Sequence, residues 1–328
     1  MIVGSAPLRV SLLGGGSDVP SFFVDHVGAV LGGSINLRVY VCVIKMVEFA
    51  DYPFRFTYRQ VDNANVKSEI KHPVWRTLLE SRPEIKRINA ATFSDIPGNS
   101  GLGSSSSFTV AAIAALNGYL GIEWGNERIS NEAIRVERVE LAESGGWQDQ
   151  LHATYGGFRL YTLSGENVTI GEELLTTEER RLLNKSSILV KIGQGRKSSE
   201  FHSSADVQIS KTRGSDLDSQ AKLAIHGAEI LSAEREWSSK LDSICELMLE
   251  NWQIKKSFFA RSATGVDELI AFGLNNGAKS AKLCGAGGSG FILFIGEPDG
   301  VKKLREKIDS KLVIDFEFDC TGVKSTNV

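Results

Sequence analysis

The stretch DIPGNSGLGSSSSFTVAAIAALNGYLG, residues 95–121, joins a run rich in glycine and serine to an apolar run. Gly98, Gly101 and Gly103 precede four consecutive serines, and the residues from Phe108 to Leu116 are apolar except for a single threonine. A free linker does not carry such a compact apolar run. The pattern instead predicts a helix that begins within the serines and ends at Gly121, because glycine commonly terminates helices.

A glycine loop at the start of a helix is suited to bind an anion. Glycines adopt main-chain angles that turn several N–H groups toward one point, and the helix start adds unpaired N–H groups and a positive dipole end. A nucleotide triphosphate is the commonest such anion, whereas a flexible turn capped by serine is the alternative for a lone glycine-serine cluster. The predicted ATP-binding residues are Pro97, Gly101, Leu102, Gly103, Ser104, Ser105 and Ser106.

Two common nucleotide-binding loops do not fit this stretch. A Walker A loop requires a Lys-Ser or Lys-Thr pair after the glycines, and none follows here. A dinucleotide-binding loop belongs to an early strand–turn–helix unit with strands and helices alternating, whereas the predicted strands of this chain are not interleaved with helices.

The composition is that of an ordinary globular protein, with 42% hydrophobic and 23% charged residues among 328. The net charge of −3 calls for neither nucleic acid nor an anionic membrane as partner. Four cysteines lack CxxC spacing and five histidines lack metal-type pairing. No secretory signal or membrane-spanning run is apparent, so the sequence predicts a reduced, cytoplasmic protein.

The predicted elements divide the chain into two domains, residues 1–165 and 166–328, separated at the acidic connector of residues 164–181. The first half reads as strands over residues 8–13, 39–49, 54–59 and 87–95, then the helix described above, a helix over 131–143 and a strand within 155–163. The second half reads as strands over 188–192, 282–295 (with a loop) and 313–319, and helices over 218–252, 265–277 and 301–308. The fold class is α+β.

Three motifs in order resemble those of the galactokinase–homoserine kinase–mevalonate kinase–phosphomevalonate kinase (GHMP) superfamily. PxxxGLGSSS (residues 97–106) resembles the second motif, APLRVSLLGGGSD (Ala6–Asp18) the first, and KLCGAGGSGFILF (Lys282–Phe294) the C-terminal glycine loop. The resemblance covers nearly the whole chain. It implies an N-terminal domain like ribosomal protein S5 domain 2, a ferredoxin-like C-terminal domain and an active site between them.

Within the superfamily, GGGSD (residues 14–18) is similar to the form usual in D-glycero-D-manno-heptose 7-phosphate kinases, as are residues 137–158 and the end FEFDCTGVKS. Ser289 departs from a common glycine, and the serine run is longer than usual. The resemblance implies an ATP- and Mg²⁺-dependent kinase for the anomeric hydroxyl of heptose 7-phosphate, whose product feeds GDP-heptose synthesis. A kinase for galactose, fucose or a hexose phosphate is the first alternative. A catalytically idle sensor of sugar and ATP is the second.

The resemblance also implies the catalytic and metal-binding residues. Asp149 would accept the proton of the sugar hydroxyl, and Arg9 would keep Asp149 ionised and orient the nucleophile. Ser105 and Glu137 would bind Mg²⁺, which prefers a few protein oxygens. Without the resemblance, Asp149 reads as a helix N-cap, Arg9 as a charge at a strand edge, and Glu137 as part of a solvated helix face.

The resemblance also implies acceptor-binding residues, which are Gly16, Ser17, Asp18, Gly287 and Gly288. Because a sugar 7-phosphate needs a cationic pocket of its own, Lys282, Arg196 and Lys197 are further candidates for contact with a phosphate. For Asp18 the alternative is a turn stabilised by its own side chain, and for the C-terminal glycines it is a turn before a strand. Trp75 or Tyr58 could line the adenine site, but core packing is the favoured interpretation for both.

Overall fold

The computed structural model describes residues 1–98, 100–192, 214–258, 265–285 and 290–328. Within these ranges, no helix combines the length and the apolar character needed to cross a membrane. All four cysteines lie in these ranges, and none of them pairs in a disulfide.

Two sheets organise the molecule. The strands of the larger sheet are β1 (Ile2–Leu13), β2 (Gly28–Ile44), β3 (Phe54–Thr57), β4 (Val61–Ala64), β5 (Ile88–Ser94), β6 (Phe158–Ser164), β7 (Asn167–Ile170) and β12 (Lys324–Asn327). The strands of the smaller sheet are β8 (Ser187–Lys191), β9 (Ser280–Leu283), β10 (Phe291–Ile295) and β11 (Val313–Ile314). Helices lie against both sheets, which confirms the α+β class.

The helices follow in chain order. They are α1 (Pro20–Phe23), α2 (Pro73–Glu80), α3 (Ser104–Leu120), α4 (Asn126–Ile134), α5 (Gln148–Tyr155), α6 (Thr177–Lys185), α7 (Gly214–Ser232), α8 (Trp237–Phe258), α9 (Val266–Asn275) and α10 (Pro298–Lys307). A π-helical segment, Arg135–Glu140, continues directly from α4. Short 3₁₀ turns occupy Lys67–Glu69 and Ser310–Leu312.

The larger sheet has the strand order β12-β1-β2-β5-β3-β4, with β6 and β7 attached to the first part of β2. β2 is long enough to pair with two strands on one side, β6 along Gly28–Gly33 and β5 along Val39–Ile44. β1 pairs with β2 along nearly its whole length, with register shifts after Pro7 and after Ser11. β1 therefore lies inside the sheet along Ile2–Ser5, between β12 and β2, and beyond Ser5 its strand neighbour is β2.

Helix α3 lies directly against this sheet. Its residues from Ser106 to Asn117 are buried, so the apolar run seen in the sequence forms the centre of the core. The approach is close at Gly4, where an added Cβ would lie 2.1 Å from the carbonyl oxygen of Ala111. The predicted helix is confirmed at both ends, since it starts at Ser104 and Gly121 follows it with φ +68°.

The smaller sheet is antiparallel, with the order β11-β8-β10-β9. Its apolar residues form a separate core with α8, α9 and α10, including Ile188, Trp252, Ile292 and Phe294. Helix α7 instead packs on the larger sheet, where Gly227 allows close contact with Leu13 and Leu31. The domain boundary near residue 165 stays a prediction.

The structure differs from the sequence expectations in several places. The helix expected over 131–143 begins earlier, at Asn126, and continues as the π-helical segment Arg135–Glu140. The helical pattern of residues 218–252 forms two helices, α7 and α8, separated at residues 233–236. The strand expected over 39–49 ends at Ile44, which is the last residue of β2 that pairs with β5. Phe49, beyond this end, is 89% exposed. Of the strand expected over 313–319, Val313 and Ile314 alone pair with β8, because the chain then crosses to β2, where Phe318 bridges to Ile35.

Candidate functional site

The glycine-serine loop, residues 97–106, is anchored on one side and open at the helix start. Gly101 and Gly103 have φ of +74° and +77°, a conformation that favours glycine. Between them, Leu102 is fully buried and its carbonyl oxygen accepts the main-chain N–H of Arg9 at 3.0 Å. The first bond within α3 runs from Ser107 N–H to Gly103 O, so the N–H groups of Ser104 to Ser106 precede the helical ladder. The loop and helix start have the geometry of an anion cradle.

The buried Arg9 and the partly exposed Asp149 form an ion pair beside this loop. Arg9 is 7% exposed, and its Nε and Nη2 lie 2.8 and 2.7 Å from Asp149 Oδ1. Arg9 Nη1 donates to the carbonyl oxygen of Gly101 at 2.6 Å. A Cβ on Gly103 would lie 3.2 Å from Arg9 Cγ and 3.5 Å from Asp149 Cγ. Three segments that are far apart in the sequence therefore meet here, and Arg9 is not a surface charge at a strand edge.

Asp18 is buried and holds the start of α5. Its Oδ2 accepts the main-chain N–H of Gln148, the first residue of α5, and its Oδ1 accepts the N–H of Gly16 and Nε2 of Gln148, all at 3.0–3.1 Å. Burial raises the pKa of Asp18, against the effect of these main-chain hydrogen bonds. A Cβ on Gly146 would lie 1.9 Å from Asp18 Oδ2, so the turn before α5 closes directly over the carboxylate. Asp18 thus acts on the helix that carries Asp149.

Ser17, beside Asp18, is also fully buried. Its Oγ lies 2.8 Å from the carbonyl oxygen of Gly14 and 2.9 Å from that of Ala29, either of which can accept its one proton, and it accepts the N–H of Ala29 at 3.0 Å. Gly16 has φ +106°, which lets the chain turn between β1 and α1. These contacts keep the first motif folded against β2, and contact of Gly16, Ser17 and Asp18 with a sugar stays a prediction.

Glu137 lies in the π-helical segment and is 1% exposed, so it is not on a solvated face. Ser106 Oγ donates to its Oε2 at 2.7 Å, Thr109 Oγ1 to its Oε1 at 2.5 Å, and Gln150 Nε2 donates to Oε2 as well. Burial raises the pKa of Glu137, and the charge of Arg138 and the hydroxyl donors oppose that rise. The carboxylate therefore ties the π-helical segment to the first turns of α3 and to α5.

The donors around Glu137 are of the type that suits Mg²⁺. Ser105 is exposed in the first turn of α3, and Glu137, Ser106 and Thr109 add further hard oxygens nearby. The structure brings Ser106, rather than Ser105, into contact with Glu137. Magnesium binding by the Ser105–Glu137 pair stays a prediction.

Gly285, the first residue of the C-terminal glycine loop, meets the glycine-serine loop main chain to main chain. A Cβ on Gly101 would lie 2.5 Å from the carbonyl oxygen of Cys284, and one on Gly285 would lie 2.5 Å from Gly101 Cα. Gly287 and Gly288 of this loop, like Arg196 and Lys197, lie outside the described residues. Lys282 is 1% exposed, and its Nζ donates to the carbonyl oxygen of Leu12 at 2.6 Å. Lys282 therefore joins β9 to β1.

Two residues near this site were missed by the sequence analysis. His152 is one turn after Asp149 in α5 and fully buried, and burial together with the charges of Arg9 and Arg159 lowers its pKa to about 3. Lys255, near the end of α8, donates to the carbonyl oxygen of Gly285 at 2.9 Å. Neither residue lies in one of the three motifs, so only the structure shows that it is close to this site.

Of the two interpretations of Trp75, adenine binding and core packing, its surroundings support core packing. It is 1% exposed and packs edge-on against Phe108 and beside Phe56, as a core residue does. Tyr58 is half-buried, with its hydroxyl 2.9 Å from Gln60 Nε2 and its ring edge-on to His72.

Sequence models of two domains match the chain. The model described as "GHMP kinases N terminal domain" matches residues 69–157, and the one described as "GHMP kinases C terminal" matches residues 233–314. Together they cover more than half of the chain, and the first includes the glycine-serine loop, Glu137 and Asp149.

Curated relatives and solved structures agree with these matches. The chain is 26% identical to D-glycero-alpha-D-manno-heptose 7-phosphate kinase of Campylobacter jejuni, over 98% of each chain. It is 28% identical to mevalonate kinase of Pyrococcus horikoshii, over 88% of this chain and 87% of the relative. The crystal structure of a D-glycero-D-manno-heptose 1-phosphate kinase from Bacteroides thetaiotaomicron superposes with a TM-score of 0.79 and 22% identity, covering 100% of this chain and 99% of that one.

Proposed function

The chain belongs to the GHMP kinase family and is a phosphotransferase that acts on a sugar hydroxyl, and we propose that its acceptor is D-glycero-α-D-manno-heptose 7-phosphate. The two-domain fold expected of the family is confirmed. In the proposed reaction the anomeric hydroxyl receives the γ-phosphoryl group of ATP, which gives the 1,7-bisphosphate and ADP. The similarity to the Campylobacter jejuni heptose 7-phosphate kinase over nearly the full length of both chains supports this acceptor.

One contact supports the chemistry more than any other, the approach of Gly103 to both Arg9 and Asp149. It sets an anion cradle directly beside a carboxylate. Phosphoryl transfer depends mostly on positioning and on neutralising charge, so a nucleotide tail and an attacking hydroxyl need to be held side by side. The triphosphate tail lies at the start of α3, on the N–H groups of Ser104 to Ser106.

Asp149 accepts the proton of the anomeric hydroxyl as the oxygen attacks the γ-phosphorus. The O–H bond breaks, the new O–P bond forms, and the bond from the γ-phosphorus to the bridging oxygen breaks as ADP leaves. Arg9 fixes the direction of the Asp149 carboxylate through two N–H groups on one oxygen, which leaves Oδ2 for the hydroxyl. Its third contact, to the carbonyl oxygen of Gly101, fixes the position of the carboxylate relative to the glycine-serine loop.

Ser105 and Glu137 are the residues that hold Mg²⁺ in this proposal, and the ion neutralises charge on the triphosphate when bound. Around them, Thr109, Ser106 and Gln150 keep the buried carboxylate in place. Pro97 and Leu102 fix the path of the loop, and Gly16, Ser17 and Asp18 shape the acceptor side.

The acceptor is tested by incubating the purified protein with ATP and a panel of acceptors. The panel contains heptose 7-phosphate, galactose, fucose, a hexose phosphate and mevalonate, the acceptor named by the Pyrococcus horikoshii relative. We expect the highest kcat/KM with heptose 7-phosphate. Much faster turnover of a free hexose would show that the acceptor is another sugar.

The Asp149→Asn variant separates an active kinase from an idle sensor of sugar and ATP. Asn keeps the shape of the side chain but cannot take the proton, so we expect ATP binding within a few-fold of the wild type and the loss of most turnover, about 10²-fold or more. Full activity of this variant would remove Asp149 from the mechanism, and a wild type without turnover on any acceptor would favour the sensor.

A further inference from the structure

Lys255 lies where the two glycine loops meet. The end of α8 brings its Nζ to 2.9 Å from the carbonyl oxygen of Gly285, and Gly285 is in main-chain contact with Gly101. On the other side of this contact, Arg9 Nη1 holds the carbonyl oxygen of Gly101. Each glycine loop is thus held by one cation, and the two cations flank the point where the loops touch.

The surroundings of Lys255 place it in the reaction cleft and not on the outer surface. Lys255 is half-buried, and its ammonium experiences the charges of both Asp18 and Asp149 as well as that of Arg9. The next residue along the helix, Lys256, behaves differently, because its Nζ pairs with the exposed carboxylate of Asp267 at 2.8 Å. Neighbouring lysines of one helix therefore face two environments.

The charges of the described residues at this point favour an anionic ligand. Asp149 is already paired with Arg9, and Asp18 is enclosed by the N–H groups of Gly16 and Gln148. Lys282 is enclosed as well, on the carbonyl oxygen of Leu12. Lys255 adds positive charge at the junction of the two glycine loops, one of which leads into the start of α3, and an ammonium is suited to bind phosphate.

We propose that Lys255 binds phosphoryl oxygens at the junction of the two glycine loops and, together with Arg9, holds the phosphoryl group during its transfer. This rests on the proposed kinase function and adds a catalytic residue from the C-terminal half of the chain. The proximity to Asp149 favours the transferred group over the acceptor's own phosphate as the source of these oxygens, because Asp149 marks where the acceptor hydroxyl attacks.

The charge state of Lys255 gives the proposal a pH signature. Burial, with a contribution from Arg9, lowers the pKa of Lys255 to about 8. The titratable and charged groups that face it are Arg9 on β1, Asp18 after β1, Asp149 on α5, and Lys282 and Cys284 at the end of β9. Since the ammonium is the form that binds phosphate, activity should fall as the pH rises through about 8. An arginine at this position stays charged to a much higher pH.

Three variants test the proposal: Lys255→Met, Lys255→Arg and, as the matched control on the same helix, Lys256→Met. For each we would measure kcat, both KM values and the Kd of a non-hydrolysable ATP analogue without acceptor. We expect Lys255→Met to lower kcat about 10²-fold. We expect Lys256→Met to stay within twofold of the wild type, and Lys255→Arg to retain part of the activity and to lose the decline above pH 8.

The acceptors distinguish the two sources of phosphate. If Lys255→Met lowers kcat equally with heptose 7-phosphate and with the dephosphorylated heptose, Lys255 binds the transferred group. If the variant changes only the KM of the phosphorylated acceptor, Lys255 binds the acceptor's own phosphate instead. If kcat, both KM values and the analogue Kd of Lys255→Met match those of Lys256→Met, the proposal is overturned. The analogue Kd needs no acceptor, so a failure of the heptose assignment would be seen separately.

Discussion

Arg9 meets Asp149 through two nitrogens, at 2.7 and 2.8 Å from a single carboxylate oxygen, although 140 residues separate them in the chain. The same guanidinium reaches Gly101, and the main-chain N–H of Arg9 reaches Leu102. One residue of β1 therefore fixes both the carboxylate and the loop beside it, and the predictions below start from this relationship.

Replacing Arg9 should affect both turnover and stability. Arg9→Met leaves the partly exposed carboxylate of Asp149 unpaired and removes the donor to the carbonyl oxygen of Gly101, so we expect a loss of about 1–3 kcal/mol in the free energy of unfolding and a fall in kcat of at least about 100-fold. Arg9→Lys restores the charge but cannot make all three contacts, so it should recover stability better than kcat. Urea unfolding and steady-state kinetics measure the two effects, with Arg55→Lys on β3 as an exposed control. Normal kcat in Arg9→Met would contradict the role of the pair.

Asp18 should act through α5. Asp18→Ala removes the acceptor for the partly buried N–H groups of Gly16 and Gln148, which costs about 1 kcal/mol for each hydrogen bond lost. We therefore expect a lower melting temperature and a lower kcat together, with a smaller change in Asp18→Asn, which keeps one acceptor. An unchanged melting temperature with a raised KM for the sugar alone would instead indicate direct contact between Asp18 and the sugar.

The contact between the two glycine loops can be tested with a pair of glycines in the same backbone conformation. Gly101 has φ +74° and a main-chain neighbour, whereas Gly121 has φ +68° and no atom within 4 Å of an added Cβ. Both Gly101→Ala and Gly121→Ala should lose about 1–2 kcal/mol of stability from the left-handed conformation. Only Gly101→Ala should also weaken binding of an ATP analogue, by about tenfold or more, because its Cβ would push the loops apart. Equal affinities in calorimetry would show that the close approach is not needed.

His152 should make the protein sensitive to acid. Its pKa is lowered to about 3 by burial, so between pH 6.5 and 3 the unfolded chain binds a proton that the folded protein does not. Its contribution to stability is fully present above pH 6.5 and is lost as the pH falls, by about 2 kcal/mol between pH 6.5 and 5.

The variant His152→Phe keeps an aromatic ring against Tyr161 and removes the titration. Its free energy of unfolding, measured by urea at several pH values, should fall less steeply below pH 6.5 than that of the wild type. Parallel curves for the two proteins would show that His152 does not remain neutral in the folded state.

The sequence reveals the parts of this site that depend on local pattern. Gly101, Gly103 and the apolar run after them predict a loop at a helix start because the requirements on φ and on hydrophobicity are local. Arg9, Asp149 and Glu137 are identified by resemblance alone, because the residues next to each of them in the sequence do not indicate which distant residue it contacts. The Asp18–Gln148 bond spans 130 residues and the Lys255–Gly285 bond joins a helix to a loop, so both depend on tertiary packing.

The smaller errors in the fold have the same origin. Residues 39–49 and 313–319 both have strand-like composition, but a strand continues only while a neighbour pairs with it. β5 ends its pairing opposite Ile44, and the chain leaves β8 after Ile314. The composition of neither segment shows where its pairing ends.

The antiparallel pairing of Ile2–Ser5 with Lys324–Asn327 has a consequence for biosynthesis. β1 leaves the ribosome long before its edge partner has been translated, so the nascent chain exposes an unpaired strand edge along Ile2–Ser5. Such an edge is a template for association with other chains. Chaperone cover during translation should therefore matter more for this protein than for one whose first strand finds both of its neighbours at once.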